Sequence, residues 1–191
     1  MAAGSRRKVV SGSERVPLAA ARSAGPVSRD ERFEVTVRIR PRAPAAKLAE
    51  GGLHGEHLPA ARRYVTRQEY AAQHGASEAD IAKVEAFARE HGLVVVDASA
   101  ARASVFLSGT TAQFEAAFGT RIEHYESQGR TYRGRTGPLT VPEELAQIVE
   151  GVFGIDDRPA AVPHFQRCPA LPPGVARPAA AAQGFAPPQL A

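Results

Sequence analysis

Residues 104–120 constrain the fold more than any other segment, because they encode a strand that passes directly into a helix. The segment opens with an apolar, partly β-branched run, and Thr110 or Thr111 can cap the helix that follows. Phe114 and Phe118 are four residues apart and therefore share one face of that helix, which a glycine ends. An apolar helix joined to a strand predicts a sheet on which the helix packs.

Five further segments predict strands. Residues 33–40 alternate apolar and polar side chains, the pattern of a strand with one buried face. Residues 93–97 are rich in valine and predict a second strand. Residues 122–126 and 131–135 flank a Gln-Gly pair, which predicts a hairpin with a tight turn. Residues 152–155 predict the last strand.

Local start signals predict three more helices. Thr66 and Glu69 have the spacing of a capping box, in which each side chain satisfies a free backbone amide at the helix start. Ser77 begins a longer helix shortly after the first one ends. The apolar stripe of this longer helix consists of Ile81, Val84, Phe87, Ala88 and His91. A last helix is predicted to begin at Pro142 and to extend to Val149.

The order of these elements is strand, helix, strand, strand, helix, strand. It predicts an α+β fold of the ferredoxin-like type, an antiparallel sheet with helices on one face, over residues 31–158. The other sheet face is then left to solvent or to a partner. Residues 1–30 lack a period and predict a flexible, basic N-terminal arm. Prolines keep residues 159–184 extended, which predicts a C-terminal linker.

Composition narrows the classes of function. The 191-residue chain has 24 basic and 20 acidic side chains, but residues 62–158 hold 11 basic and 14 acidic ones. Nucleic-acid binding needs clustered basic side chains, so we expect no nucleic acid as a partner. No apolar run approaches the roughly 18–20 residues of a membrane helix, so we expect no membrane partner either. A single cysteine, Cys168, excludes an internal disulfide framework.

Several motifs stand in a fixed order along the chain. They are Tyr-Val-Thr at 64–66 with Glu-Tyr at 69–70, Ile-Ala-Lys-Val at 81–84 with His-Gly-Leu at 91–93, Leu-Ser-Gly-Thr-Thr at 107–111 with Glu-Ala-Ala-Phe-Gly at 115–119, Tyr-Arg at 132–133, Val-Pro at 141–142, and Val-Glu-Gly-Val-Phe-Gly-Ile-Asp at 149–156. As a set, these motifs resemble the pro-kumamolisin activation domain. That domain is the propeptide of the sedolisin, or serine-carboxyl, peptidases.

The resemblance implies that the chain is a non-catalytic propeptide and that its partner is its own downstream peptidase domain. A propeptide of this family assists the folding of that domain, docks on its surface, and blocks its active-site cleft with the C-terminal linker until acid-triggered autoprocessing. Residues 185–191 are similar to the opening of the family's catalytic domain, which implies a truncated start of that domain here. The resemblance also implies an extracellular location, although residues 1–10 carry no visible signal sequence.

Two features could suggest catalysis. The Ser-Gly-Thr-Thr motif at 108–111 is similar to the Gly-Thr-Ser setting of the family's nucleophilic serine, but Thr111 would occupy the nucleophile position. A strand end followed by a helix cap explains the motif better. The paired carboxylates at 143–144 and 156–157 could suggest acid–base chemistry, yet they fit a helix start and a strand exit. We therefore expect no catalytic residue in this chain.

The histidines do not predict a metal site. His54 with His57, or His164 with Cys168, provides only two donors, and zinc requires three or four. We expect no metal and no cofactor, and we interpret these histidines as surface or linker residues whose acid-range titration could give a pH response.

We expect one tail segment to enter the peptidase cleft. It consists of Pro163, His164, Phe165, Gln166 and Arg167. Peptidases bind substrates as extended chains with side chains in alternating pockets, which suits an aromatic residue near a proline, although a plain spacer remains the alternative. The hypothesis places a first cut near His164–Phe165 and a later one between Ala179 and Phe185.

The contact surface is expected to include the open sheet face, the last strand and the linker. Candidate interface carboxylates are Glu143, Glu144, Glu150, Asp156 and Asp157. Protonating them in acid would remove attractions that hold the propeptide in place. The alternative function is a free-standing ferredoxin-like binding module, either a peptidase inhibitor acting in trans or, less favoured, an RNA-binding module. RNA recognition needs aromatic side chains on the central strands, and residues 104–108 offer only Phe106.

Overall fold

The computed structural model describes residues 6–43 and 65–159. Within these residues the α-helices are Arg67–His74 (α1), Glu78–Glu90 (α2) and Thr111–Phe118 (α3). The strands are Arg7–Val9 (β1), Arg22–Pro26 (β2), Arg32–Ile39 (β3), Val94–Ser99 (β4), Ser104–Thr110 (β5), Ile122–Ser127 (β6), Arg130–Arg135 (β7), Thr140–Pro142 (β8) and Val149–Phe153 (β9). The chain divides into two compact units, Met1–Pro159 and Ala160–Ala191, and every described residue belongs to the first.

Four strands form a central antiparallel sheet in the order β4-β5-β3-β9. The chain runs from β3 through α1 and α2 into β4, returns in β5, and reaches β9 only after α3 and the β6–β7 hairpin. Because β5 lies between β3 and β4, the helical connection between those two strands is split by an antiparallel neighbour, which is the split βαβ arrangement. The predicted α+β fold with an antiparallel sheet is confirmed.

The hydrophobic core lies on the side of the sheet that α2 and α3 cover. Val35 of β3 and Leu107 of β5 point into it, as their alternation in sequence predicts, and both are buried. The rings of Phe87 in α2 and Phe118 in α3 pack 5.8 Å apart, and Phe114 is fully buried. The two helices therefore close this face with their predicted apolar stripes.

The predicted helix start signals are largely confirmed. The Glu69 amide donates to Thr66 Oγ1 over 3.1 Å and the Thr66 amide donates to Glu69 Oε2 over 2.8 Å, which completes the capping box of α1. In α3 the cap is Thr110 rather than Thr111, because Thr110 and Gln113 exchange the same pair of hydrogen bonds. Gly119 ends α3 in the left-handed conformation, at φ +60°.

The expectation of a flexible N-terminal arm is wrong for residues 6–30. β1 pairs with β8 and β2 pairs with β6, and Val10 and Val27 are buried in the core. Arg7 Nε donates to Thr140 Oγ1 over 3.0 Å. Sequence pattern missed these strands because they are short and outwardly polar, and they take their hydrogen-bond partners from strands about a hundred residues away. We call residues 6–27 the N-terminal strap.

The helix predicted from Pro142 to Val149 is also wrong. The structure has only a 3₁₀ turn, Glu143–Leu145, between β8 and β9. Pro142 pairs opposite Arg7 and Val149 pairs opposite Ile39, so strand pairing claims both ends of the segment. Tertiary pairing outweighs a weak helical pattern in so short a segment.

The charge of the folded unit also differs from the expectation. Because the N-terminal strap belongs to the fold, the described residues carry 19 basic and 18 acidic side chains and are close to neutral. The acidic core inferred from residues 62–158 is therefore not the charge of the whole folded surface. Among the described residues, none of the helices has the length and apolar character that crossing a bilayer requires.

Candidate docking surface

The face of the central sheet opposite α2 and α3 carries an aromatic band. Residues directly opposite in an antiparallel pair share a face, and Thr36 of β3 lies opposite both Phe106 of β5 and Phe153 of β9. Phe106 is half-buried, whereas Phe153 is 58% exposed. We call this surface the open face.

Exposed apolar side chains concentrate on the open face. Seven large hydrophobic residues are exposed in the described part of the chain. Val65, Tyr70 and Phe153 line a groove on this face, and Val94 lies opposite Ser108 in a row that points the same way. Contiguous exposed apolar surface on a soluble domain indicates an interaction site.

The groove has a volume of about 750 Å³ and lies between the sheet and α1. The Tyr70 and His74 rings of α1 stack 5.2 Å apart and form one wall. His74 is buried, and its Nδ1 lies 3.1 Å from the Ala43 carbonyl oxygen. Arg42 donates to the carbonyl of Ala76, which lies between α1 and α2, over 3.0 Å. The position of α1 departs from the prediction, because this helix borders the face that was expected to carry none.

Two arginines, each paired with a carboxylate, border the groove. Arg38 Nη1 donates to the Arg102 carbonyl over 2.7 Å, and Arg38 Nε lies 3.7 Å from Glu150 Oε2. Arg102 pairs with Asp97, and its guanidinium carbon lies 5.7 Å from the centroid of Phe106. Exposed pairs of this kind contribute only about 0–1 kcal/mol to stability. These ion pairs matter for the groove, because they hold the two guanidinium groups next to its apolar surface.

The chain leaves β9 through a segment that is fixed to β7, and we call residues 154–158 the C-terminal anchor. Gly154 has φ +100°, and a Cβ there would meet the Glu34 carbonyl oxygen at 2.8 Å, so only glycine fits. Arg133 of β7 donates from Nη2 to the Gly154 carbonyl and from Nε to the Ile155 carbonyl, each over 3.1 Å. The Arg133 amide donates to Asp157 Oδ1 over 2.6 Å, and the Asp157 amide returns a bond to the Arg133 carbonyl.

Arg133 is itself held in place from β3. Its guanidinium carbon lies 3.8 Å from the ring centroid of Phe33, and Nη1 lies 3.1 Å from Glu31 Oε1. The side chain is only 12% exposed. These contacts together fix the position and orientation of the Arg133 guanidinium.

Two further arginines tie the N-terminal strap to this region. Arg158 pairs with Asp156 and donates from Nη1 to the Val16 carbonyl over 2.8 Å, and its hydrogen bond to Asp156 raises the pKa of the guanidinium. Arg135 is buried and donates from Nη2 to the Ser13 carbonyl over 2.6 Å. Burial lowers the pKa of Arg135.

The structure does not bring the five candidate interface carboxylates together. Glu143 lies 2.6 Å from Lys8 of the strap, Glu150 faces Arg38, and Asp156 and Asp157 belong to the C-terminal anchor. Glu144 is exposed on the 3₁₀ turn. Four of the five thus have partners within the described residues of this domain, which the sequence pattern did not indicate. The tail segment expected in the cleft, residues 163–167, lies outside the described residues.

Comparison with known families decides what kind of domain this is. Residues 19–158 match the family model described as the pro-kumamolisin activation domain. The chain belongs to this family. The match ends where the C-terminal anchor ends, and residues 6–18 of the N-terminal strap lie before it.

Three curated peptidases are similar to the chain. Kumamolisin of Bacillus sp. strain MN-32 is 36% identical over 161 residues, which are 84% of this chain and 29% of that protein. Sedolisin of Pseudomonas sp. strain 101 is 26% identical over 148 residues, 75% of this chain and 25% of that protein. Tripeptidyl-peptidase sed5 of Aspergillus fumigatus is 25% identical over 147 residues, 69% of this chain and 25% of that protein. The chain therefore spans less than a third of the length of these relatives.

In this activation domain the Ser-Gly-Thr-Thr motif has a structural role. Thr110 caps α3, and Thr111 is buried, with its hydroxyl donating to the Glu31 carbonyl over 3.3 Å. The interpretation of the motif as a strand end and helix cap is confirmed. No group of three or more His, Cys, Asp or Glu side chains within the described residues could hold a metal ion. The residues weighed as metal ligands, His54, His57, His164 and Cys168, lie outside those residues.

The sequence pattern did not indicate the roles of Arg133 and Arg158, the two arginines that hold the anchor in place. Arg133 entered only as part of a family motif, and Arg158 only as the boundary of the linker. One local signal was present. Arg133 lies in a predicted strand next to Gly134, and the lack of a side chain at Gly134 leaves room for the rings of Tyr125 and Tyr132. That signal does not name the carbonyl groups that the arginine binds, because those lie more than twenty residues away.

Proposed function

We propose that this chain is the propeptide of a secreted serine-carboxyl peptidase, and that it acts as an intramolecular chaperone and inhibitor until acid-triggered autoprocessing removes it. The observation that carries the proposal is the match to the activation-domain family, together with an open face that bears the exposed Phe153 beside the half-buried Phe106. Exposed apolar surface of this kind is typical of interaction sites.

The docking step would use the open face and β9. Covering Phe153 and the half-buried Phe106 with a partner removes apolar surface from water, and full burial of such a side chain contributes about 1.5–3 kcal/mol. The groove against α1 gives this surface a concave shape, which restricts the orientations in which a partner can dock. The exposed Arg38 and Arg102 would form the polar rim of the contact.

The chaperone role follows from linkage. A domain that binds the folded peptidase and not its unfolded chain shifts the folding equilibrium toward the folded form. Because propeptide and peptidase would be one molecule, the effective concentration of the docking domain is high during folding.

The inhibitory role would fall to the linker, residues 159–184. We propose that its segment Pro163–Arg167 occupies the cleft as an extended chain, with a first cut near His164–Phe165 and a later one between Ala179 and Phe185. Docking of the domain raises the local concentration of the linker at the cleft, so inhibition within one chain should exceed inhibition between separate chains.

Acid would release the propeptide by removing carboxylate charges. The candidates remain Glu143, Glu144, Glu150, Asp156 and Asp157, and protonating them weakens attractions in which they take part. Three of them, Glu143, Glu150 and Asp156, face cations of this domain, namely Lys8, Arg38 and Arg158.

Mixing the isolated chain with the mature peptidase at neutral and acidic pH tests the proposal. We expect strong inhibition at neutral pH, weak inhibition in acid, and no hydrolysis by the chain itself. Peptide hydrolysis by the chain alone, or indifference of the peptidase to it at every pH, would contradict the proposal. An inhibitor acting in trans differs only in the sequence that is encoded after Ala191, so reading the open reading frame onward separates the two.

A further inference from the structure

We propose that the C-terminal anchor sets which linker bond lies at the peptidase's catalytic centre, and that Arg133 is the positioning residue that holds the anchor. This inference rests on the proposed function. It adds that the distance from a fixed point on the domain, and not the amino-acid sequence of the linker, determines the position of the first cut.

Every residue of the anchor takes part in a hydrogen bond, an ion pair or the core. Arg133 binds the carbonyls of Gly154 and Ile155 with two arms of one guanidinium, and its backbone exchanges two hydrogen bonds with Asp157. Ile155 is buried in the core, and Asp156 pairs with Arg158. Contacts of this kind tie down the end of a domain that would otherwise be poorly ordered.

The anchor's support is held from more than one element of the domain. Arg133 lies in the middle of β7, which pairs with β6 from Ile122 to Ser127. Its guanidinium packs against the ring of Phe33 in β3, and the centroids of the Phe33 and Phe114 rings lie 4.6 Å apart. The anchor is thus connected to the hairpin, to the central sheet and to α3 through one side chain.

The distance from the anchor to the expected first cut is six residues, 159–164. An extended chain advances about 3.3 Å per residue, so six extended residues that start from a fixed point would place only one bond at a given centre. A start that moves by several ångströms would allow neighbouring bonds to reach the same centre. The fixed start therefore selects the register of the linker in the cleft, and it raises the effective concentration of the inhibiting segment.

An insertion tests the counting directly. Four residues, Ala-Ser-Ala-Ser, are inserted between Arg158 and Pro159, an even number that preserves the alternation of side chains in an extended chain. The full chain is incubated with the mature peptidase at acidic pH, and the first cut is mapped by mass spectrometry. We expect the cut to move four residues toward the N terminus, for example from His164–Phe165 to Ala160–Ala161. A cut that stays at the same sequence would overturn the proposal.

Substitution of Arg133 tests the residue. Arg133→Lys keeps the charge but cannot bind two carbonyls at once, so we expect cuts spread over several adjacent bonds and roughly tenfold weaker inhibition at neutral pH. Asp157→Ala should give the same pattern, because it removes the carboxylate that accepts a hydrogen bond from the Arg133 amide. Arg130→Lys on the exposed start of β7 is the matched control and should behave as the wild type.

Each outcome has a separate meaning. A single, unmoved cut in folded Arg133→Lys would remove Arg133 from the role proposed for it. Should that variant fail to fold in a thermal unfolding measurement, the insertion variant, which leaves every anchor contact in place, decides alone. If the wild-type chain is neither bound nor cut by the peptidase, the proposed function fails, and this inference fails with it.

Discussion

The two faces of the central sheet are built from the same strands and differ in what covers them. On β3, Val35 and Val37 are buried beneath α2 and α3, whereas Thr36 and Arg38, which alternate with them, line the groove on the open face. Successive side chains of a strand point to opposite faces, so one sequence encodes both surfaces by alternation. The covered face therefore stabilises the domain, while the open face is available for binding.

The largest effect expected from this comparison is on stability. Phe114→Ala on the covered face should lower the free energy of unfolding by about 3–5 kcal/mol, because it leaves a cavity in the core. Phe153→Ala on the open face should change it by about 0.5 kcal/mol or less, because Phe153 is largely exposed. Urea unfolding followed by circular dichroism measures both. Equal losses in the two variants would contradict the assignment of the faces.

A second prediction exchanges residues that are adjacent in β3. Val35→Thr places a hydroxyl in the core and should cost about 1–3 kcal/mol, whereas Thr36→Val keeps the same shape on the open face and should be nearly neutral. The two variants have matched volumes and neighbouring positions, so each is the control for the other. Thermal unfolding would contradict the comparison if Thr36→Val were the more destabilising change.

The third prediction concerns binding and rests on the proposed function. Phe153→Ala should raise the inhibition constant against the mature peptidase at neutral pH by roughly thirtyfold, or about 2 kcal/mol, because exposed aromatic side chains dominate many interfaces. Arg89→Ala, an exposed change on α2, is the control and should leave the inhibition constant unchanged. Inhibition that is insensitive to Phe153 would place the contact elsewhere on the domain.

Local signals were sufficient for much of the fold. The capping box of Thr66 and Glu69 is formed within one helical turn, and the Gln128–Gly129 turn has φ of 52° and 73°, the positive values that a tight hairpin turn requires. The apolar stripe of α2 depends only on helical spacing. These features could be predicted because the interacting groups are close in sequence.

Other features could not be predicted from local pattern. The N-terminal strap has no apolar period, and its strands form only because β8 and β6 offer free edges. The segment after Pro142 has a helical pattern, but Ile39 and Arg7 draw its ends into strand pairs. The carboxylates that were expected to form one interface set likewise have separate partners, because Glu143 pairs with Lys8 and Glu150 pairs with Arg38.

Local sequence was enough to predict the α+β class, the helix caps, the hairpin turn, the alternation that makes one sheet face apolar, and the motifs of the activation-domain family. Each of these depends on residues a few positions apart, whose geometry follows from backbone conformation. Three arrangements emerged only from the folded chain: the strap belongs to the domain, α1 and Phe153 form a groove on the open face, and Arg133 holds the end of the domain. Those arrangements join groups separated by twenty to more than a hundred residues, and packing of the whole chain fixes them.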